Sequence, residues 1–345
     1  MALVAPRIAS LFLLSLAAFS TFARASPTPL NTPLHPRSFT VNNDTGTLQI
    51  FGSSGSLITQ GPATDGSGSD FNAPAAIWII FCLVLGLPMA AAGIRGWRLT
   101  TGAGIGLASA VCTWAAFINS VDSTGIPDLF LTAIIIVLFI CGFALGVFEI
   151  ARLGGITLIG LSGGVAFGIR IVLLRGGLLV SSTELYFLNW AIVGVFGAAG
   201  GLSLIWFQRY GLLFGCASIG TFLTSLGIDL IMSKQAGMSM GLRFLFDRNS
   251  SHIAFLLEYP YTPSLTTRVI LIASLGLTPI LALIQHRIFR APFTRRPAVS
   301  DAALGIDFPT DGIVNSEPKR ATFFVSLWDG AKDRGGMDKI NRFSV

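Results

Sequence analysis

Seven long runs of hydrophobic residues, separated by polar connections that are short except between the last two, set the pattern of this chain; they cover residues 75–94, 99–119, 129–148, 153–174, 186–207, 211–232 and 269–288. The fourth run is the one around which the others are organised. Its twenty-two residues would rise about 33 Å as a helix, enough to cross a hydrocarbon core of roughly 30 Å. That is too long and too bare of charge for a helix in a soluble core, so each run predicts a membrane span. Gly160, Gly164 and Gly168 recur every four residues along the fourth run and leave one face nearly bare for the close approach of a neighbour. The expected fold is all-α: a polytopic membrane protein, residues 75–289 forming a seven-transmembrane-helix bundle of three helical hairpins plus one helix.

Basic residues mark alternate turns. Arg95 and Arg98 follow the first run, Arg152 the third and Arg209 the fifth, while Arg287, Arg290, Arg295 and Arg296 close the seventh. By the positive-inside rule these turns face the cytosol, which places the N-terminus outside and the C-terminus in the cytosol. Arg170, Arg175, Lys234 and Arg268 fall on the other side and blur the bias.

Composition agrees with the pattern. With 52% hydrophobic and 12% charged residues and a mean hydropathy of +0.72, the chain lies outside the usual soluble range. A net charge of +6 does not indicate nucleic acid, because the arginines stand singly between runs or cluster behind the last one, as membrane anchors do. Cys82, Cys112, Cys141 and Cys216 all lie within the runs, away from an oxidising aqueous phase, so no disulfide is expected.

The flanks read differently. Arg7 precedes an apolar stretch over 8–22, and Ala23-Arg24-Ala25 then offers small residues at both positions a signal peptidase reads, so residues 1–25 predict a cleaved leader. Residues 26–74 are rich in Ser, Thr, Gly and Pro and predict a flexible luminal or extracellular segment. Within it, the alternating patches 47–51 and 56–59 flank Gly52-Ser53-Ser54-Gly55 and predict a hairpin. Two sequons, Asn43-Asp44-Thr45 and Asn249-Ser250-Ser251, fall on the luminal side and predict glycosylation of Asn43 and Asn249. Residues 290–345 predict a disordered cytosolic tail whose basic start suits an anionic leaflet. Its Phe323, Phe324, Val325, Leu327 and Trp328 suit docking to a partner or a membrane surface.

The arginine turns expose an internal repeat. Arg98, Arg152 and Arg209 are spaced by 54 and 57 residues, and Ile105-Gly106-Leu107-Ala108 aligns with Ile159-Gly160-Leu161-Ser162. Together with Gly93-Ile94-Arg95-Gly96-Trp97-Arg98 at the first turn, and Gly-rich second, fourth and sixth spans behind single arginines, this pattern over about 78–290 resembles a known family. It is the multispan domain shared by transmembrane protein 198 and seven-transmembrane superfamily member 3, which has many fungal relatives. The resemblance implies a membrane-embedded helical domain without assigned catalysis, and roles in signalling or membrane organisation.

Candidate chemistry is sparse. His35, His252 and His286 are scattered without carboxylates or cysteines at ligand spacing, and neither a Gly-x-Ser-x-Gly elbow nor a P-loop occurs, so no catalytic, cofactor or metal site is expected. The seventh run contains no lysine for a retinal Schiff base. Glu149, Arg170 and Asp229 are the intramembrane charge candidates, Glu149 at the very edge of the third run. Counted from the starts of the fourth and sixth runs, Arg170 and Asp229 reach the same depth, which predicts either an ion pair between those spans or an Arg170 that snorkels to the interface.

Three function classes fit: a non-enzymatic membrane scaffold or signalling accessory, a transporter or channel, and a seven-transmembrane receptor. The scaffold leads, because intramembrane charge is too sparse for a coupled carrier and the turns are too short for a receptor's coupling partner. The expected partners are the lipid bilayer and, through the tail, membrane or cytosolic signalling proteins, with no nucleic acid and no cofactor. The expected setting is the secretory pathway or the plasma membrane, and oligomeric state stays open.

Overall fold

The computed structural model describes residues 40–42, 49–52, 54–93, 96–121, 123–148, 151–181 and 185–289. The leader at 1–25, Asn43, Arg95, Glu149, the side chain of Arg152, and the tail with Arg290, Arg295, Arg296 and 321–328 lie outside the described residues.

Helices follow the hydrophobic runs closely. They are α1 (Ala73–Ala92), α2 (Trp97–Ser120), α3 (Asp128–Val147), α4 (Arg152–Val172), α5 (Phe187–Trp206) and α6 (Gln208–Ser233), then two short helices, α7 (Met238–Phe246) and α8 (Ile253–Glu258), and finally α9 (Leu265–Ile288). Seven of these are long and apolar enough to cross a membrane, and they form the all-α polytopic bundle. Local chemistry sets their ends. Asn72 accepts from the Ala75 amide with Pro74 in the first turn of α1, and the Ser264 hydroxyl accepts from the Thr267 amide. That second cap begins α9 at Leu265, four residues before the apolar run, because a cap rather than hydropathy decides where the helix starts.

Three intimate pairs plus one helix make the bundle: α2 with α3, α4 with α5, and α6 with α1, while α9 lies on α6. The first two pairs are joined across the face opposite the arginine turns. The third joins helices far apart in sequence. Small residues permit each approach. A Cβ on Gly106 would stand 2.9 Å from the Phe139 carbonyl oxygen, one on Gly160 2.8 Å from the Gly200 oxygen, and one on Gly86 2.6 Å from the Thr224 nitrogen. Gly106 and Gly160, equivalent in the repeat, thus face the outer helix of their respective pairs. Gly164 and Gly168 continue the same seam, against Gly197 and Val193 of α5. The centre is shared by α4, which touches α2, α5, α6 and α9, and α6, which touches α1, α4, α5 and α9.

On the face away from the arginine turns the connections build a cap. Residues 58–72 lie in the 26–74 segment whose composition predicts flexibility, yet they form a strap hydrogen-bonded to the short helices of the cap. The Gln60 side chain donates to the Ser250 carbonyl at 3.2 Å and accepts from the Ala254 amide at 2.9 Å, and the Gly61 amide donates to the Ser251 carbonyl at 3.0 Å. Hydrogen bonds to the bundle replace the apolar core that its composition cannot supply. Ahead of the strap, β1 (Thr40–Asn42) pairs antiparallel with β2 (Gln49–Phe51), Val41 opposite Ile50. The hairpin expected between 47–51 and 56–59 is short: a bridge between Phe51 and Leu57, with bonds from the Ile58 amide to the Ile50 carbonyl and from the Gly52 amide to the Ser56 carbonyl. Beyond that bridge the chain leaves to join the strap, so β2 takes its main partner from the residues before it.

Candidate functional site

Four features concentrate the polar chemistry of the described residues. The first surrounds Arg170, near the far end of α4 and fully buried. Ser218 and Thr221 on α6 are three apart, Ser274 and Thr278 on α9 four apart, so each helix presents both side chains on one face. Arg170 Nε donates to the Ala166 carbonyl at 3.1 Å. Nη1 donates to the Thr221 and Thr278 hydroxyls at 2.9 and 3.0 Å and to the Ser274 carbonyl at 3.0 Å; Nη2 donates to the Ser218 hydroxyl at 2.8 Å and its carbonyl at 3.2 Å. The guanidinium's five N–H groups therefore all find oxygens, and three helices are joined through one side chain.

Arg170 neither pairs with Asp229 nor snorkels. The reason is register: a Cβ on Gly215 would stand 2.8 Å from the Ile159 carbonyl oxygen and one on Gly163 would strike Gly215, so Gly163 sits level with Gly215. Arg170, seven residues on, is then level with Phe222 and about two helical turns, roughly 10 Å, from Asp229. Equal counting from the starts of the two runs missed this offset. The signal that points to the true partners is the hydroxyl spacing on α6 and α9.

Asp229 forms the second feature, a clasp at the end of α6. One carboxylate oxygen accepts from the Thr267 hydroxyl at 2.8 Å, the other from the Met238 amide, which ties α6 to the first turns of α7 and α9. Gly237 is required beside it, since a Cβ there would lie 2.6 Å from the carboxylate carbon.

The third is a buried charge cluster in the cap, drawn from three segments and invisible as a motif. Asp247 Oδ2 lies 2.8 Å from His252 Nδ1 and 3.5 Å from Arg243 Nε, while Arg243 Nη1 lies 3.9 Å from Asp65 Oδ2. The Arg243 guanidinium also stacks 4.4 Å from the centre of the Phe255 ring. Nearby, the Tyr261 hydroxyl donates to the Leu173 carbonyl at 2.8 Å, and burial pushes this phenol up from its ordinary range, so it stays a neutral donor.

The fourth is a cavity of about 150 Å³ between α1, α2 and α6, beneath the strap and α7. It exists because α1 packs on α6 while α2 packs on α3 and α4, which leaves a gap between α1 and α2. Its walls are apolar, with Trp78, Phe81, Trp114 and Phe222 among them, and its polar lining is Asp65, Ser67 and Ser239 at the capped end. The strap ties both walls together: Trp78 Nε1 donates to the Gly66 carbonyl at 3.0 Å and Trp114 Nε1 to the Asp65 carbonyl at 2.9 Å.

Seven spans, Gly-rich inner helices and arginine turns together suit one family, and the family model described as the TM7S3/TM198-like domain matches residues 79–286, which is 208 of the chain's 345 residues. The chain belongs to the TM7S3/TM198-like family. No curated protein and no solved structure shows a significant match.

Within this TM7S3/TM198-like domain the remaining sequence candidates are dispersed. Arg98 and Arg287 are exposed near the ends of their helices, and Arg209 Nη2 donates to the Phe289 carbonyl at 2.5 Å, holding the α6 start to the α9 end. Asn249 is committed to structure. Its Nδ2 donates to the Val121 and Ile118 carbonyls at 2.6 and 3.3 Å, and its Oδ1 accepts from the Ser251 amide and hydroxyl at 3.1 and 2.7 Å. A glycan on Nδ2 would occupy the atom that makes the first two bonds, so the fold competes with modification at this sequon.

Proposed function

We propose that this TM7S3/TM198-like protein is a non-enzymatic scaffold or signalling accessory of a secretory-pathway or plasma membrane, its cap luminal or extracellular and its arginine turns and tail cytosolic. The observation that carries the reading is the closure of the polar interior. At membrane depth the Arg170 donors and their hydroxyl partners are satisfied by one another, and Ser218 in turn donates to the Gly163 carbonyl at 2.6 Å, an arrangement that holds helices together rather than opening a hydrated path. α1 and α9 also run unbroken through Pro88 and Pro279, whereas carriers typically bind solute where helices break. The orientation is supported by the arginines that recur at alternate turns, of which Arg98 and Arg287 are exposed at the face opposite the cap.

The test is thiol accessibility in a background with the four native cysteines replaced by alanine. Cysteines at Ser218, Thr221 and Thr278 are expected to resist a membrane-impermeant thiol reagent applied from either side, whereas one at exposed Ser56 reacts from the luminal side. Reaction at any of the three interior positions would replace the scaffold with a transporter. For the glycans, Asn43→Gln is expected to abolish the endoglycosidase shift and Asn249→Gln to leave it unchanged. A shift that disappears only in Asn249→Gln would show that modification outruns folding of the cap.

A further inference from the structure

The cavity between α1 and α2 has the polarity of a lipid leaflet. Its polar residues, Asp65, Ser67 and Ser239, lie at the capped end, and the walls below them are apolar toward the bundle centre. Val111 lines the cavity and is also 44% exposed on the outer surface of α2, so the mouth opens sideways, between two spans, into the hydrocarbon. A cavity of about 150 Å³ is of the size at which an apolar site in a protein takes up a ring-sized apolar guest. In a bilayer the molecules at the mouth are lipids.

The polar end decides what kind. Asp65 Oδ1 accepts from the Ser67 amide and hydroxyl at 2.9 and 2.6 Å, and Arg243 stands 3.9 Å from Oδ2. The carboxylate thus has a counter-charge behind it, and the pole calls for a neutral head that gives or receives a hydrogen bond. A fatty acid would bring a second carboxylate beside Asp65, and a phospholipid would bring a phosphate and two chains into a space for one slim body. The walls favour a rigid, ring-built body over a flexible chain, because Trp78, Phe81, Trp114, Phe222 and Phe246 present broad ring surfaces against which a flat alicyclic skeleton packs with little loss of conformational entropy.

We propose that this cavity is a binding site for the hydroxyl-bearing end of a membrane sterol, its first ring within the cavity with the hydroxyl at Ser239, Ser67 and Asp65, and the rest of its skeleton in the mouth between α1 and α2. The strap over residues 58–72 then acts as the roof of the site, since Trp78 and Trp114, one from each wall, hang from its adjacent carbonyls.

The experiment uses the full chain in nanodiscs with a sterol carrying a photoreactive diazirine, followed by peptide mapping. Labelling is expected in α1 around Trp78, in α2 around Leu107 and Trp114, and in α7 around Ser239; excess unlabelled sterol should displace it, and monoolein or oleic acid should not. Ala110→Phe, which fills the cavity from α2, should abolish this labelling, and Ser239→Ala should weaken it about fivefold, the loss of one hydrogen bond. Should Ala110→Phe fail to fold, Val111→Trp blocks the mouth from the lipid side and carries the same expectation. Labelling spread equally over the lipid-facing sides of α3 and α9, or indifferent to these substitutions, would overturn the site. Displacement by monoolein as effective as by sterol would overturn the choice of ligand.

Discussion

Replacing Arg170 with leucine lowers the apparent melting temperature in detergent by about 10 °C. Leucine is close enough in bulk to limit the cavity but gives none of the five donors that hold oxygens of α4, α6 and α9. Hydrogen bonds to a charged group contribute about 1.5–3 kcal/mol each when isolated, yet Ser218, Thr221 and Thr278 keep their own donations to the Gly163, Ala217 and Ser274 carbonyls. The loss is therefore partial, about 3–5 kcal/mol, which corresponds to roughly 10 °C for a domain of this size. Arg170→Lys is expected to fall between, since one ammonium cannot reach the α6 and α9 hydroxyls in the fork geometry of a guanidinium. Combined with Asp229→Asn the losses should add, because the two groups share no partner. An unchanged melting temperature in the leucine variant would remove the guanidinium from the account of stability, and a coupling above about 1 kcal/mol with Asp229 would restore the ion pair.

Two glycine substitutions of identical chemistry are expected to differ most of all. Gly164→Leu should yield no folded protein, whereas Gly194→Leu should express and melt like the parent. A Cβ at position 164 would meet the Phe196 backbone and stand 2.9 Å from the Gly197 Cα, while a Cβ at 194 meets nothing within 4 Å. Backbone against backbone cannot yield as a side chain can, so overpacking at 164 costs more than about 3 kcal/mol and opens the α4–α5 seam. The comparison separates packing from the intrinsic effect of glycine in a helix, which would favour leucine at both sites. Fluorescence-detected size-exclusion profiles of the two variants give the answer. Equal behaviour would mean that the seam is loose.

The helices were legible in the sequence because hydropathy over twenty residues is a strong local signal, and Gly160, Gly164 and Gly168 could be recognised as a packing face from spacing alone. Which helix they would meet was not legible. Arginine at the turns suggested hairpins such as α1–α2, but side-chain volume decides contact, and the paired glycines bring α2 to α3, α4 to α5 and α6 to α1. The site was hidden for a related reason. Arg170 was visible as an isolated charge, yet serine and threonine are too common in membrane helices to announce themselves as its partners. The same two-turn offset between α4 and α6 that misplaced Asp229 is set by Gly163 against Gly215, a tertiary fact. His252, Asp247, Arg243 and Asp65 meet only because the strap folds back over the bundle, which a Gly- and Ser-rich composition argues against until its hydrogen-bonding partners are known.

The pairing of α1 with α6 governs the order in which the protein can be made. Gly220 packs on Ala90, residues 130 apart in the chain, so α1 lacks its main neighbour until the sixth span arrives and meanwhile has only its lighter contact with α3, the Phe81 ring against Phe139. At ordinary rates of synthesis that interval is on the order of ten seconds. During it Gly86 and the cavity side of α1 lie open to lipid or to an insertion chaperone, while α2–α3 and α4–α5 can each close as soon as both members are threaded. Chains ending before α6 should therefore hold two assembled pairs and one loosely held helix, and quality control that recognises this protein has α1 as its exposed handle.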